Sequence, residues 1–413
     1  MLKRVKVTVA LTAAASSALL LMASQQALAT TAQGAANSPT ADVVGVGSDT
    51  LQFAADFMAD GSPAASVGGL ATTGFNAAGN KYRVINYDAT GDAVGRALYT
   101  HAGGTFYGNA PTTAVVLRAK QQPVEIPDGS SAGIAALLND TPGATGYQGA
   151  PNGSIQYARM SRIIHASEET TCADATHVAG CGTLHPVVIG ADNFTIAHRS
   201  PSLGGSNAVA LSGFQIAQIY ECTAGYQFWD DPNIGGTSHT RIIPVLPQTS
   251  SGTYSDFNSD ITAHYGFNGT YGSCVVPGEE HDPAGITGAT SPADAIEPFS
   301  PARIALINSG YFANAGVAAN QVVGATGTPV DGHAIYSLAR NIYITTRDVD
   351  VNNATVWQPG GSANWAHVLF VGSSSYVSRA TGQANVAAAG FDTSTGYIDC
   401  GAGDTNAACP PPS

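Results

Sequence analysis

The sequence predicts an α/β fold with a largely parallel sheet, and three observations carry that expectation. Short apolar runs rich in Val and Ile recur along the chain. Most are followed by a turn of Gly, Ser and Thr, and several of those turns open runs whose apolar residues have helical spacing. Strands that alternate with helices pack as a parallel sheet covered on both faces. In such sheets a ligand sits beyond the carboxyl ends of the strands, which here means in those turns.

Ala41 to Val46 (ADVVGV) reads as the first strand, Gly47-Ser48-Asp49-Thr50 as its turn and Leu51 to Met58 as a helix. Tyr82 to Tyr87 is a second strand, and Ala114 to Leu117 and Val124 to Ile126 are two more. Gly129-Ser130-Ser131-Ala132-Gly133 then opens a helix over Ile134 to Asn139. Ser154 to Tyr157 reads as a strand leading into the turn Ala158-Arg159-Met160-Ser161-Arg162. His185 to Gly190 and Phe194 to Ala197 read as two strands, and Gly213 to Tyr220 as a helix. Arg241 to Leu246 is a strand, Gln248 to Thr253 a polar turn, and Tyr254 to Tyr265 its helical continuation. The tail after Ile398 is rich in Gly and Pro. No repeat of fixed period stands out.

The first residues set the compartment. Lys3, Arg4 and Lys6 precede an apolar stretch from Val7 to Met22, and Ala27-Leu28-Ala29 fits the small-x-small rule for signal cleavage. Cleavage is expected near Ala29, releasing a secreted or extracytoplasmic protein. No Cys follows that point to carry a lipid anchor. The whole chain has a net charge of −13, and losing those three cations makes it more acidic. Such a chain repels nucleic acid and anionic lipid, so neither is an expected partner.

Six cysteines, Cys172, Cys181, Cys222, Cys274, Cys400 and Cys409, stand in an exported chain and read as disulfides. Proximity favours Cys172–Cys181 and Cys400–Cys409, which leaves Cys222–Cys274. Neither Cys-x-x-Cys nor His-Glu-x-x-His occurs, so no metal is expected, and no cofactor.

Several Ser/Thr/Gly turns stand at expected helix N-termini. A helix N-terminus offers unpaired N–H groups and a partial positive charge, and hydroxyls beside it let a compact anion come close. The ordinary alternative for each single turn is helix capping by Ser or Thr. The turns together give a set of candidate ligand-binding residues: Ser48, Asp49, Thr50, Ser130, Ser131, Arg159, Ser161, Arg162, Ser251, Gly252 and Thr253.

That ordered series resembles the phosphate-binding (PstS-like) proteins of ABC importers, in a secreted actinobacterial form. Ser251-Gly252-Thr253 is similar to the family's late Ser-Gly-Thr turn, and Gly129-Ser130-Ser131 to its Gly-Ser-Ser turn. Leu211 to Tyr220 with Phe228-Trp229-Asp230-Asp231, Glu280-His281-Asp282 and Ile335 to Thr345 resemble later segments. The chain departs from the family at Pro247, where an Arg is usual, and in the third turn, where an Asp is usual. Arg159 or Arg162 is the expected replacement for the Arg, and Asp49 for the carboxylate.

The resemblance implies a type II periplasmic-binding-protein fold: two α/β lobes joined by two crossover strands with a cleft between them. The expected divisions are signal peptide 1–29, leader 30–40, lobe one 41–192, lobe two 193–345, the return of lobe one 346–398 and a tail 399–413. Crossovers are expected near Asn193 to His198 and Ile342 to Thr345. The implied function is capture of phosphate or a similar tetrahedral oxyanion by a monomer that delivers it to an importer's membrane subunits, without catalysis.

Two other functions fit single features. Gly129-Ser130-Ser131-Ala132-Gly133 satisfies the Gly-x-Ser-x-Gly pattern of a serine hydrolase with Ser131 as nucleophile. The missing lipid anchor suits a secreted scavenging or surface protein that keeps the fold without transport.

Overall fold

The computed structural model describes residues 42–413 except 79–82, 88–96, 102–103, 111–113, 119–120, 123, 142–145, 175–180, 201–208, 288–293, 314–318, 353–363, 404–408 and 410–413. The expected signal peptide and leader lie outside the described residues.

A ten-stranded sheet organises the chain. Its strands are β1 (Val43–Gly47), β2 (Val84–Asn86), β3 (Tyr157–Met160), β4 (Leu184–Arg199), β5 (Ile243–Leu246), β6 (Val276–Pro277), β7 (Ala295–Phe299), β8 (Val322–Gly324), β9 (Ser337–Arg347) and β10 (Ile398–Asp399). They run in the order β6-β5-β7-β4-β9-β3-β1-β2, with β8 and β10 also paired to β4. Two blocks are parallel: β2-β1-β3 at one end and β6-β5-β7 at the other. Between them β4 and β9 pair antiparallel along their length. At one end of that pair, residues 343–346 of β9 bond to β3. At the other end, residues 195–198 of β4 bond to β7. Each long strand therefore leaves one parallel block and enters the other. This is the type II periplasmic-binding-protein arrangement of two lobes joined by two crossover strands.

Two sequence expectations change here. His185–Gly190 and Phe194–Ala197 are one strand of 16 residues, not two. The polar residues between them read as a break, yet Asp192 is buried and lies opposite Arg340 in the register of β9. A cross-strand ion pair lets the ladder continue. The expected strand at Ser154–Tyr157 sits three residues later, at Tyr157–Met160, flanked by β1 and β9. Arg159, read as a turn residue, is a fully buried strand residue.

The helices that matter for the cleft are α1 (Gln52–Asp60), α2 (Ser130–Asn139), α3 (Ala166–Ala173), α4 (Gly213–Tyr220), α5 (Gly252–His264), α6 (Pro301–Asn308) and α7 (Ala380–Ala388). Helix α4 has the expected bounds, fixed by a reciprocal cap between Ser212 and Gln215. Helices α2 and α5 begin earlier than their apolar patterns do, at Ser130 and Gly252, so the polar turns supply their first helical residues.

Apolar contacts tie the parts together. Phe53 and Phe57 of α1 meet Tyr311 edge-on, with ring centroids 5.5 and 5.4 Å apart, just beyond α6. Around β5 and β7 the core holds Phe194, Ile216, Tyr220, Trp229 and Phe257, all fully buried. Burying a side chain of this size contributes roughly 1.5–3 kcal/mol.

Disulfides join Cys172–Cys181, Cys222–Cys274 and Cys400–Cys409, the pairing that proximity favoured. Among the described residues no helix is long and apolar enough to cross a membrane, and no group of three His, Cys, Asp or Glu is placed to hold a metal ion.

Candidate functional site

The carboxyl ends of β1, β3 and β5 bring the polar turns to one place, between the lobes. The turn at Ser130 touches the turn at Ser251 directly: the Ser131 N–H donates to the Ser250 carbonyl at 3.0 Å. Gly129 makes this approach possible. Its φ is 91°, and a Cβ there would lie 2.3 Å from the Ser250 carbonyl oxygen.

Helix α5 is the centre of the arrangement. Ser251 caps it, its Oγ accepting from the Tyr254 N–H at 3.1 Å. Gly252 follows, packed under two hydroxyls, from the start of α2 and the turn after β3. A Cβ on Gly252 would lie 2.2 Å from Ser161 Oγ and 2.5 Å from Ser130 Oγ. Those two oxygens are 3.2 Å apart, and Ser130 Oγ also accepts from the Ser161 N–H at 3.0 Å. Ser48, at the end of β1, is fully buried, and its Oγ has no hydrogen-bond partner among the described residues.

Beside this lies an ionic group that the sequence reading did not place in the site. Glu280 Oε1 accepts from the Thr50 hydroxyl at 3.0 Å and from the Thr253 N–H at 3.2 Å. An internal carboxylate therefore rests on the N-terminus of α5, where the helix favours negative charge. His281 is next to it, in left-handed backbone conformation with φ 57°. Its Nδ1 accepts from the Ser300 N–H at 3.2 Å. In the neutral ring the proton then sits on Nε2, which donates to Thr50 Oγ1 at 2.9 Å. The chain His281–Thr50–Glu280 has one consistent direction of donation. A non-glycine residue held at positive φ is uncommon and clusters at functional sites.

Arg340 closes the group. It binds Asp192 at 2.9 Å and donates from Nη1 to Thr253 Oγ1 at 2.8 Å. The Ser300 hydroxyl donates to the other Asp192 oxygen at 2.9 Å. Arg303 holds Asp49 at 3.2 Å and donates to the Asp49 carbonyl at 2.9 Å.

Burial, and then the Asp49 charge, raise the Glu280 carboxyl above its ordinary range, against hydrogen bonds from Thr253 and Ser251 and the charge of Arg340. Burial, and then Asp282, Glu280 and Asp49, push the nearby Glu297 carboxyl well above its ordinary range.

The two arginines named from sequence are held by protein partners. Arg159 donates to the Ser48 and Gly47 carbonyls at 3.1 and 2.8 Å and to Asn86, bracing the first turn from behind. Arg162 donates to Ser131 Oγ at 2.9 Å and pairs with Glu168 at 2.6 Å. The structure thus gathers Ser48, Thr50, Ser130, Ser161, Gly252 and Thr253 at one seat, with Asp49 joined to it through Arg303. Glu280, His281, Asp192, Arg303 and Arg340 are additions. Glu280-His281-Asp282 was visible as a polar run, and Arg340 as a charge inside an apolar strand.

No family model and no curated protein matches the chain. Solved structures do. An ABC-type phosphate transport receptor from Vibrio cholerae is 15% identical over 85% of this chain and 99% of its own, with a TM-score of 0.44. A high-affinity periplasmic phosphate-binding protein, solved with phosphate, is 17% identical over 74% of this chain and 80% of its own, at 0.40. A human phosphate-binding apolipoprotein is 16% identical over 74% and 81%, at 0.38. The chain is similar to these, and its two-lobed fold stands on its own strand order.

Proposed function

We propose that this chain is an extracytoplasmic solute-binding protein that captures phosphate or a related tetrahedral oxyanion between its lobes and presents it to an ABC importer. One observation carries this reading: hydroxyls from separate turns of lobe one converge on the first turn of α5, packed over a glycine that leaves no room for a side chain. Hydroxyl donors, the positive end of helix α5 and a nearby guanidinium suit a compact anion.

In this reading the lobes comprise 41–192 with 346–398, and 193–345. Ser48, Ser130, Ser161 and Thr253 donate to the anion, Thr50 orients Glu280 beside it, and Arg340 takes the place of the arginine missing at Pro247. Glu280 Oε2 has no hydrogen-bond partner among the described residues. It can accept from a protonated oxyanion, or itself carry a proton. Closure is a hinge about β4 and β9, favoured by contacts the anion makes to both lobes.

The hydrolase reading has less support. Ser131 Oγ faces the Arg162 guanidinium, which donates and cannot act as a base. The secreted scavenger without transport remains compatible with the same site.

Calorimetric titration of the secreted protein with phosphate, sulfate, arsenate and molybdate tests the proposal. Saturable heat with phosphate is expected. Absence of heat with all four at millimolar concentration overturns it.

A further inference from the structure

A cavity of about 330 Å³ lies beside the proposed oxyanion seat, along the second and third turns of α5 and floored by β9. That is the size of a small-molecule site, and a bare oxyanion fills a fraction of it. Arg340 joins the two spaces: it lines the cavity and donates to Thr253 Oγ1 at the seat.

The walls carry both signs of charge. Arg162 lines one side with its side chain 1% exposed, and its buried Nε has no hydrogen-bond partner among the described residues. Opposite stand Asp256 and Asp260, one turn apart on the same face of α5. Burial raises both carboxyls above their ordinary range, Asp256 to about 7, so carrying both as anions is unfavourable without a cation beside them. Asp256 Oδ2 is 3.8 Å from Arg340 Nη1, beyond hydrogen-bond reach, and Oδ2 of each aspartate is buried without a hydrogen-bond partner among the described residues. Arg340 and Arg162 are already paired with Asp192 and Glu168. His264 stands 3.9 Å from Asp260 Oδ1, also beyond hydrogen-bond reach, so among the described residues the acidic wall has no cation at hydrogen-bond distance. Burying carboxylate oxygens without partners is costly, and a ligand ammonium with three donors would satisfy them.

We propose that the cleft takes a zwitterion, a phosphate monoester or phosphonate with a protonated amine, its oxyanion at the N-terminus of α5 and its ammonium between Asp256 and Asp260. This rests on the oxyanion reading of the seat and adds the class of ligand. The helix rise puts Asp256 about 6 Å and Asp260 about 12 Å along the axis from Gly252, a span suited to a short aminoalkyl chain.

The test is calorimetric titration of the secreted protein with inorganic phosphate, ethyl phosphate and O-phosphoethanolamine. The two esters share a head and differ in the amine. O-phosphoethanolamine is expected to bind about tenfold tighter than ethyl phosphate. Asp256→Asn and Asp260→Asn should each bring that ratio toward one. Both esters go into the same preparation, so a partly unfolded variant affects both and leaves the ratio readable. Equal affinity of the two esters in the wild type, with inorganic phosphate binding, overturns the zwitterion and leaves the oxyanion reading intact. A preference that survives both substitutions also overturns the assignment of the ammonium. No heat with any of the three overturns the oxyanion reading and this inference together.

Discussion

The two faces of the cleft are built from different chemistry. The turns after β1 and β3 and the start of α2 contribute mainly neutral hydroxyls: Ser48, Thr50, Ser130 and Ser161. The opposite face and the crossover strands contribute ions: Glu280, Asp192, Arg303 and Arg340, with His281 among them. A neutral hydroxyl bond is worth roughly 0.5–1.5 kcal/mol, whereas stripping one partner from a buried ion pair costs roughly 3–5 kcal/mol. The hydroxyl face can therefore be altered one oxygen at a time. The ionic face behaves as a unit.

The sharpest test of this division lies where the faces meet. Gly252→Val places branched carbon against Ser130 and Ser161, and phosphate binding is expected to fall by at least about a hundredfold. Calorimetry reads the loss, and circular dichroism should show the fold retained. Binding near wild type would make the turn a helix start and nothing more.

On the ionic face, Arg340→Met leaves Asp192 buried with the Ser300 hydroxyl as its remaining side-chain donor among the described residues. Urea unfolding should show a loss of about 3–5 kcal/mol. A loss below about 1 kcal/mol would mean that the pair is not an integral part of the crossover.

Glu297→Gln probes the same face through pH. The folded carboxyl is raised above its ordinary value of 4.5. The stability that follows from its protonation is complete below about pH 4.5 and is lost as pH rises through the raised value. The Gln variant should match the wild type at pH 4 and exceed it at pH 8, read from urea midpoints. An unchanged difference between the two pH values would show that Glu297 does not titrate with folding.

The smallest effect is expected on the neutral face. Ser48→Ala removes a buried oxygen without a hydrogen-bond partner among the described residues, so stability should hold or rise slightly. Phosphate affinity should fall by about 0.5–1.5 kcal/mol. Unchanged affinity would remove Ser48 from the site.

How much of this was legible in the sequence follows the same division. Hydroxyl turns are local: Gly-Ser-Ser and Ser-Gly-Thr announce themselves next to helical patterns, and the structure puts them at helix starts. The ionic face is assembled from residues far apart in the chain. Asp192 meets Arg340, and Asp49 meets Arg303, only because the sheet brings them together. Arg159 and Arg162 were attractive because they adjoined a polar turn. Composition could not reveal that Arg159 directs its donors to the Gly47 and Ser48 carbonyls and to Asn86. The strand at β4 was split for a similar reason, since a buried Asp looks like a break until its partner is known.

The pairing of β9 has a consequence for the order of assembly. Tyr343 bonds beside Met160, and Ile342 beside Gly190, so the first parallel block acquires its antiparallel neighbour only after residues 337–347 have been made. The block of β5, β6 and β7 lies between these segments and is continuous in sequence. Contacts of such long separation close late and slowly, because their loops must be ordered first. The middle of the chain can therefore collapse while β1 and β3 still wait for β9, their exposed edge open to any other extended chain.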